Sequence, residues 1–164
     1  MPDLYTVHDA AKVRCFGPPE AIDGLATPDG ALCGRIAPNE VVFVGPPGTS
    51  AALVEACQGA LQPHGSGALV VDHTDGWSFF TIVGDGAEDV FRRVSMVPLP
   101  ESATFFMGRV CDVATKAFRR PGRIDIMTGM EASRHVLDRL EHAGRGVGLH
   151  LMAAPEHDPL GVVS

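Results

Sequence analysis

Apolar positions along the chain alternate between two periods, and each switch of period marks an element. Val41, Val42, Phe43 and Val44 form a short β-branched and aromatic run, read as a strand. Gly45-Pro46-Pro47-Gly48 ends it. Thr49 or Ser50 then stands where a hydroxyl can accept an orphan backbone N–H at a helix start. Leu53, Ala56, Cys57, Ala60 and Leu61 fall on one stripe at helical spacing, which predicts a helix over 51–61 that Pro63 and Gly65 terminate. Leu69-Val70-Val71 and residues 77–83 follow as strands. Asp75-Gly76 lies between them and favours the positive φ angles of a tight hairpin. In the second strand Trp77, Phe79 and Val83 point one way and Phe80 and Ile82 the other. A strand apolar on both sides is expected to be central and covered twice.

The helical period returns at Ala87, Val90, Phe91 and Val94, and Pro98 and Pro100 stop that short amphipathic helix. A strand is predicted over 108–118, entered through Phe105-Phe106; in the loop Phe105, Phe106 and Met107, adjacent large apolar residues cannot all face one core, so at least one is expected at an interface. The turn Arg119-Arg120-Pro121-Gly122 leads to a strand over 124–127, with Ile124 and Ile126 on one face. Ala132, Val136, Leu140 and Ala143 make the stripe of a last helix over 131–143, ended by Gly144 and Gly146. Residues 1–32 read as an irregular N-terminal arm punctuated by Pro18-Pro19 and Pro28-Asp29-Gly30. Residues 151–164 read as a C-terminal tail, loose or partner-wrapping from Ala154 to Ser164, leaving one domain over 33–150. The order of elements predicts an α+β fold: a mainly antiparallel sheet with packed helices, in two similar β-α-β halves.

Composition narrows the function classes. A chain of 164 residues can bury a core without disulfides or metal. Its net charge of −7 argues against a nucleic-acid surface, which needs clustered Lys and Arg. Cys15, Cys33, Cys57 and Cys111 form no C-x-x-C pair and match no zinc spacing, so reduced, mostly buried thiols are expected. The N-terminus shows no signal-peptide pattern and no apolar run reaches membrane-spanning length, so the expectation is a cytoplasmic protein off the membrane.

Candidate chemistry is sparse. Gly45–Ser50 sits between strand and helix as a phosphate loop would, but Ser50, Ala51 and Ala52 occupy the places that need Gly, Lys and Ser or Thr. His135 and His142 lie two turns apart on one helix, too far to share an ion, and Glu131 with His135 reads as a surface pair. Asp72, His73, Thr74 and Asp75 read as a solvated turn rather than an acid–base site. Arg119, Arg120 and Arg123 form the one basic cluster. They either hold an anion or partner carboxylate, or stand at a water-exposed turn, and the exposed turn is favoured. No nucleophile elbow is present, no metal site is expected, and no catalytic or cofactor-binding residue is assigned.

Several segments, taken in order, resemble one family. They are Cys33-Gly-Arg-Ile-Ala-Pro-Asn-Glu-Val-Val-Phe-Val44, Val71-Asp-His-Thr-Asp-Gly-Trp77 through Gly84, Ala87–Val94 with Pro98-Leu99, Phe105 to Phe118, Ile124–Thr128 and Ala132–Leu140. Together they resemble the gamma subunit of heterotetrameric sarcosine oxidase, a small relative of the aminomethyltransferase folate-binding fold. The sequence departs from the family at Val41, where Trp is common, and around Cys111–Val113, where a Thr is common. The resemblance implies a non-catalytic subunit beside alpha, beta and delta subunits, which would carry FAD, FMN, NAD and tetrahydrofolate. The complex would oxidatively demethylate sarcosine or a related N-methyl amine. The alternatives are a stand-alone folate- or small-ligand-binding module, which needs a concave apolar pocket, and a regulatory domain sensing an amino acid.

Overall fold

The computed structural model describes residues 1–102 and 104–153. They fall into two compact units: Met1–His8 with Gly76 to Ala153, and Asp9–Asp75. The tail from Ala154 to Ser164 lies outside the described residues.

In the Asp9–Asp75 unit, β2 (Ala11–Phe16), β3 (Leu32–Ala37), β4 (Glu40–Gly45) and β5 (Leu69–Asp72) form an antiparallel sheet in the order β3-β4-β2-β5. Helices α1 (Pro19–Asp23) and α2 (Ser50–Leu61) pack on it. Val13 sits opposite Phe43 and Cys15 opposite Val41. These four join Ile22, Leu53, Cys57 and Leu61 in one buried cluster.

In the other unit, β1 (Asp3–Thr6), β6 (Trp77–Val83), β7 (Phe105–Val110), β8 (Val113–Arg120), β9 (Arg123–Gly129) and β10 (His150–Met152) form a six-stranded sheet in the order β10-β1-β6-β9-β8-β7. Every pairing is antiparallel except β1 with β10. Helices α3 (Ala87–Val94) and α4 (Ser133–Gly144) supply Val90, Phe91, Val136 and Leu140 to a core shared with Leu4, Phe80, Ile82, Ile124 and Ile126. Each unit is thus a mainly antiparallel sheet with two helices, a mixed α+β fold. No helix among the described residues is long and apolar enough to cross a membrane.

Both faces of β6 are buried, and β1 and β9 flank it, as its apolar alternation requires. Helix α3 runs over the span its stripe defines and buries Ala87, Val90, Phe91 and Val94. Phe105 and Phe106 lie on opposite faces of β7: Phe105 packs on Phe118 at 5.0 Å, and Phe106 meets Phe91 edge-on at 5.6 Å. Two adjacent aromatics are accommodated because a strand sends successive side chains to opposite faces.

Four expectations are corrected. The N-terminal arm is not irregular: β1, β2 and α1 lie within residues 1–32, and Leu4, Val13 and Cys15 are fully buried. The strands are short, and prolines at their ends masked them. The tail begins as a strand, since β10 pairs with β1. Asp75-Gly76 closes no hairpin. It ends a 3-10 turn over Thr74–Gly76, and β5 pairs with β2 while β6 pairs with β1 and β9. The single strand over 108–118 is two strands joined by a tight turn at Cys111 and Asp112, with φ of 52° and 66°. Neither residue is Gly, so the sequence lacks the usual hairpin signal. Three contacts hold the left-handed conformation: the Cys111 amide donates to the Val94 carbonyl at 2.8 Å, His135 Nε2 donates to the Cys111 carbonyl at 2.7 Å, and Arg109 donates to the Asp112 carbonyl. His135 is therefore engaged with that turn rather than with Glu131.

Gly144 ends α4 where Leu149 crosses it. A Cβ at Gly144 would stand 2.3 Å from the Leu149 side chain. Gly144→Ala is expected to lower stability by about 1–3 kcal/mol through overpacking, read as a fall in thermal midpoint, and trimming Leu149 to Ala in the same chain should recover part of it.

Candidate functional site

Three places concentrate the polar and concave features of the described residues. The first is the arginine cluster at the β8–β9 hairpin. Arg120 and Arg123 stand directly opposite each other across the hairpin, a juxtaposition of like charges that by itself is destabilising. Asp125, fully buried, removes the conflict. Its Oδ2 accepts from Arg120 Nη2 at 2.6 Å and Nε at 2.9 Å, and its Oδ1 accepts from Arg123 Nε at 2.9 Å and the Thr81 hydroxyl at 2.8 Å. Thr81 faces Asp125 across β6 and β9, so sheet register sets this pair. Arg119 turns to Glu88, with Nη2 and Nε at 2.7 and 3.0 Å from Oε1. A cleft of about 280 Å³ beside them is lined by Glu88 and Glu101 as well as Arg119 and Arg120, so carboxylates already meet the cations. The exposed turn expected from sequence is instead a half-buried ionic network centred on one carboxylate.

The second place is Lys12. It is fully buried on β2, and its Nζ donates to the Thr74 carbonyl at 2.7 Å. The Thr74 hydroxyl accepts from the Lys12 amide at 3.2 Å, and the His73 amide donates to the Lys12 carbonyl at 2.7 Å. Burial lowers the ammonium from its ordinary value of 10.5 to about 8, opposed by the charges of Asp75, Asp9 and Asp72. Burial also disfavours the Asp72 carboxylate. The Thr74 hydroxyl and amide, the Ser50 hydroxyl and Lys12 outweigh that and hold it below the usual carboxylate range. The Thr74 amide donates to Asp72 Oδ1 at 2.9 Å. The polar stretch 72–75 is thus a cage around a buried ammonium. Sequence reading misses it because Lys12 is remote in the chain and alternates with Val13 and Cys15 as a solvent-facing polar residue of a half-buried strand would.

The third is an apolar groove between α2 and the segment from Leu25 to Gly30. Its larger part, about 470 Å³, is walled by Pro28, Pro46, Ala52, Leu53 and Ala56, with Asp29 and Thr49 as polar members. A second part, about 320 Å³, continues along Ala56, Cys57 and Ala60 beneath Leu25 and Thr27. The volume lies in the range of small-molecule sites, roughly 300–1,000 Å³. Ala56 and Ala60, assigned to the buried stripe of the helix, are exposed on its wall, whereas Leu53, Cys57 and Leu61 are buried. Gly45 shapes the floor: a Cβ there would come 2.7 Å from Leu53 Cδ1 and Thr49 Oγ1. Thr49 occupies the N-cap position, but its hydroxyl donates back to the Pro46 carbonyl at 2.7 Å and leaves the helix amides uncapped. Under the groove the Cys15 and Cys57 thiols meet. A hydrogen bond between them pushes Cys15 up and draws Cys57 down. Cys15, Cys57 and Cys111 are buried and free as expected, while Cys33 is exposed. Among the described residues no three His, Cys, Asp or Glu side chains gather as a metal would need.

No protein-family model matches the chain, and no curated protein matches it. Solved structures do. A chain of heterotetrameric sarcosine oxidase from Corynebacterium sp. U-96 superposes with a TM-score of 0.74 at 17% identity, over 88% of this chain and 84% of that one. Aminomethyltransferase T of the glycine cleavage system from Bartonella henselae gives 0.70 at 13%, over 92% of this chain and 47% of that one. The fold is that of these two proteins. The chain spans about half the length of the aminomethyltransferase. The regulatory subunit of aspartate kinase from Thermus thermophilus is more distant, at 0.51 and 15% identity, over 85% of this chain and 96% of that one. At such identities the likeness is one of fold.

Proposed function

We propose that this chain is the small, non-catalytic gamma-like subunit of a hetero-oligomeric sarcosine oxidase-like complex in the cytoplasm. The complex removes a methyl group oxidatively from sarcosine or a related N-methyl amine and passes the one-carbon unit to tetrahydrofolate. Alpha, beta and delta subunits carry FAD, FMN, NAD and tetrahydrofolate, and this chain supports the assembly. The segments from Cys33 to Leu140 are the part that carries the family pattern.

The carrying observation is the pair of coverages in the sarcosine oxidase match. At 88% of one chain and 84% of the other, the matched chain is about as long as this one, whereas the aminomethyltransferase is about twice as long. A second support is surface chemistry. Met96 and Met107 are 67% and 48% exposed, and the Met96 amide pairs with the Arg109 carbonyl, so both methionines stand at the outer edge of the six-stranded sheet. Methionine is enriched at protein interfaces, and this exposed pair offers an apolar contact to a covering partner. Co-expression of the tagged chain with the flavoprotein chains encoded beside it tests this. Capture of those chains is expected, and Met96→Glu with Met107→Glu should reduce capture at unchanged fold. Recovery of the tagged chain alone would overturn the reading.

The groove on α2 favours a second reading, a stand-alone folate- or small-ligand-binding module. It predicts saturable binding of tetrahydrofolate by the isolated chain, abolished by Ala56→Trp, which fills the groove. A titration without saturation removes it.

A further inference from the structure

We propose that the cleft formed where α3 ends against α4 is a binding site for a small oxyanion of the phosphate type. The cleft holds about 280 Å³ and is lined by Arg93, Val94, Arg139, His142, Ala143 and Gly146. Half of these residues are basic, and no carboxylate lines it among the described residues.

The pairing of the other arginines makes this arrangement informative. Arg14, Arg35, Arg92, Arg119, Arg120, Arg123 and Arg134 all make ion pairs with Asp or Glu. Arg109 donates to a backbone carbonyl. The remaining three, Arg93, Arg139 and Arg145, have no carboxylate partner among the described residues, and Arg93 and Arg139 line this cleft. In a chain of net charge −7, carboxylates are plentiful enough to pair each of them. Two guanidinium groups with no carboxylate partner among the described residues, Arg93 and Arg139, therefore meet in one concave place.

The cleft is also built. Arg93 Nη1 donates to the Ala143 carbonyl at 3.2 Å, which fixes the guanidinium over the last turn of α4. Gly146 makes room for it: a Cβ there would stand 2.8 Å from the same Nη1. Arg139, His142 and Gly146 follow one another at helical spacing, so Arg139 and His142 share a face. A helix C-terminus attracts cations through its macrodipole, worth about 0.3–1 kcal/mol. Arg93 already meets that demand and caps the Ala143 carbonyl. Arg139 and His142 remain to bind from the opposite wall. A guanidinium offers a planar fork of N–H donors that matches the oxygens of phosphate in two-point contact, and the imidazole adds another donor. The volume suits an inorganic phosphate or the head of a phosphate monoester. Those two sources share the same chemistry here.

The test uses the full chain, labelled for amide NMR, titrated with inorganic phosphate, with sodium chloride holding ionic strength constant. Saturable shifts at Arg93 and across residues 139–146 are expected. Arg139→Gln should weaken them on the order of tenfold, the effect of losing one charge-assisted contact. Arg139 is exposed, so this variant keeps the fold, and unchanged amide shifts elsewhere verify that. Glycerol phosphate in parallel separates the sources: tighter binding than phosphate assigns a phosphorylated metabolite, and equal binding assigns the free ion. Shifts that rise linearly without saturation, that chloride reproduces, or that persist undiminished in Arg139→Gln would overturn the site.

Discussion

Replacing Asp125 with Ala is expected to cost about 3–5 kcal/mol of stability, the range for removing one partner of a buried ion pair. Asp125 is fully buried and shares its two oxygens among Arg120, Arg123 and Thr81. Without it, two guanidinium groups that face each other across a hairpin lose their common counter-charge, and the Thr81 hydroxyl loses its acceptor. The loss should appear in urea unfolding as a lower midpoint with a similar slope. Asp125→Asn keeps the shape and acceptor but removes the charge, so it should fall between the wild type and Asp125→Ala. A cost below about 1 kcal/mol for Asp125→Ala would place the network at the level of an exposed salt bridge and contradict its role.

The second large effect is a rise in stability with pH that depends on Lys12. Its folded value near 8 lies below the ordinary 10.5 of the unfolded chain. Below pH 8 both states are charged, and folding carries the full penalty of burying an ammonium. Between about 8 and 10.5 the folded chain releases the proton while the unfolded chain keeps it, so the unfolded state binds more protons and stability climbs. Above 10.5 the penalty is gone. The gap between 10.5 and about 8, at about 1.4 kcal/mol for each pH unit, comes to about 3–4 kcal/mol. Other groups titrate too, so the measurement is the difference between wild type and Lys12→Met in urea unfolding at pH 7.5 and pH 10. The wild type should gain relative to the variant by up to that amount. Parallel profiles would contradict the burial of a charged Lys12.

Much of the fold was legible because long periodic runs dominate it. The stripe of α3, the two-faced β6 and the β8–β9 turn at Pro121-Gly122 all carry their own local signal. The three- to six-residue strands β1, β2 and β10 do not, because a short strand draws its definition from the neighbours it pairs with. The Cys111–Asp112 turn escaped for a related reason: tertiary hydrogen bonds from Val94 and His135 impose a conformation that the residues themselves do not advertise. Asp75-Gly76 shows the reverse case, a strong turn signal whose flanking strands were recruited by different sheets.

The polar sites divide along the same line. The sequence marked Arg119, Arg120 and Arg123 as a group but could not show that Asp125, two residues beyond, turns inward and takes up their charge. It marked 72–75 as polar, while the lysine that gives the cage its meaning is far away in sequence. The α2 groove was hidden because Ala56 and Ala60 fit a buried stripe as well as an exposed small-residue wall. Periodicity alone cannot separate those two roles.

Size-exclusion chromatography of the chain co-expressed with its neighbouring flavoprotein genes tests the central claim most directly. The account predicts one peak in which this chain travels with flavin absorbance at a fixed ratio. The chain eluting apart from all flavin, at the volume of a free polypeptide of 17.3 kDa, would contradict it.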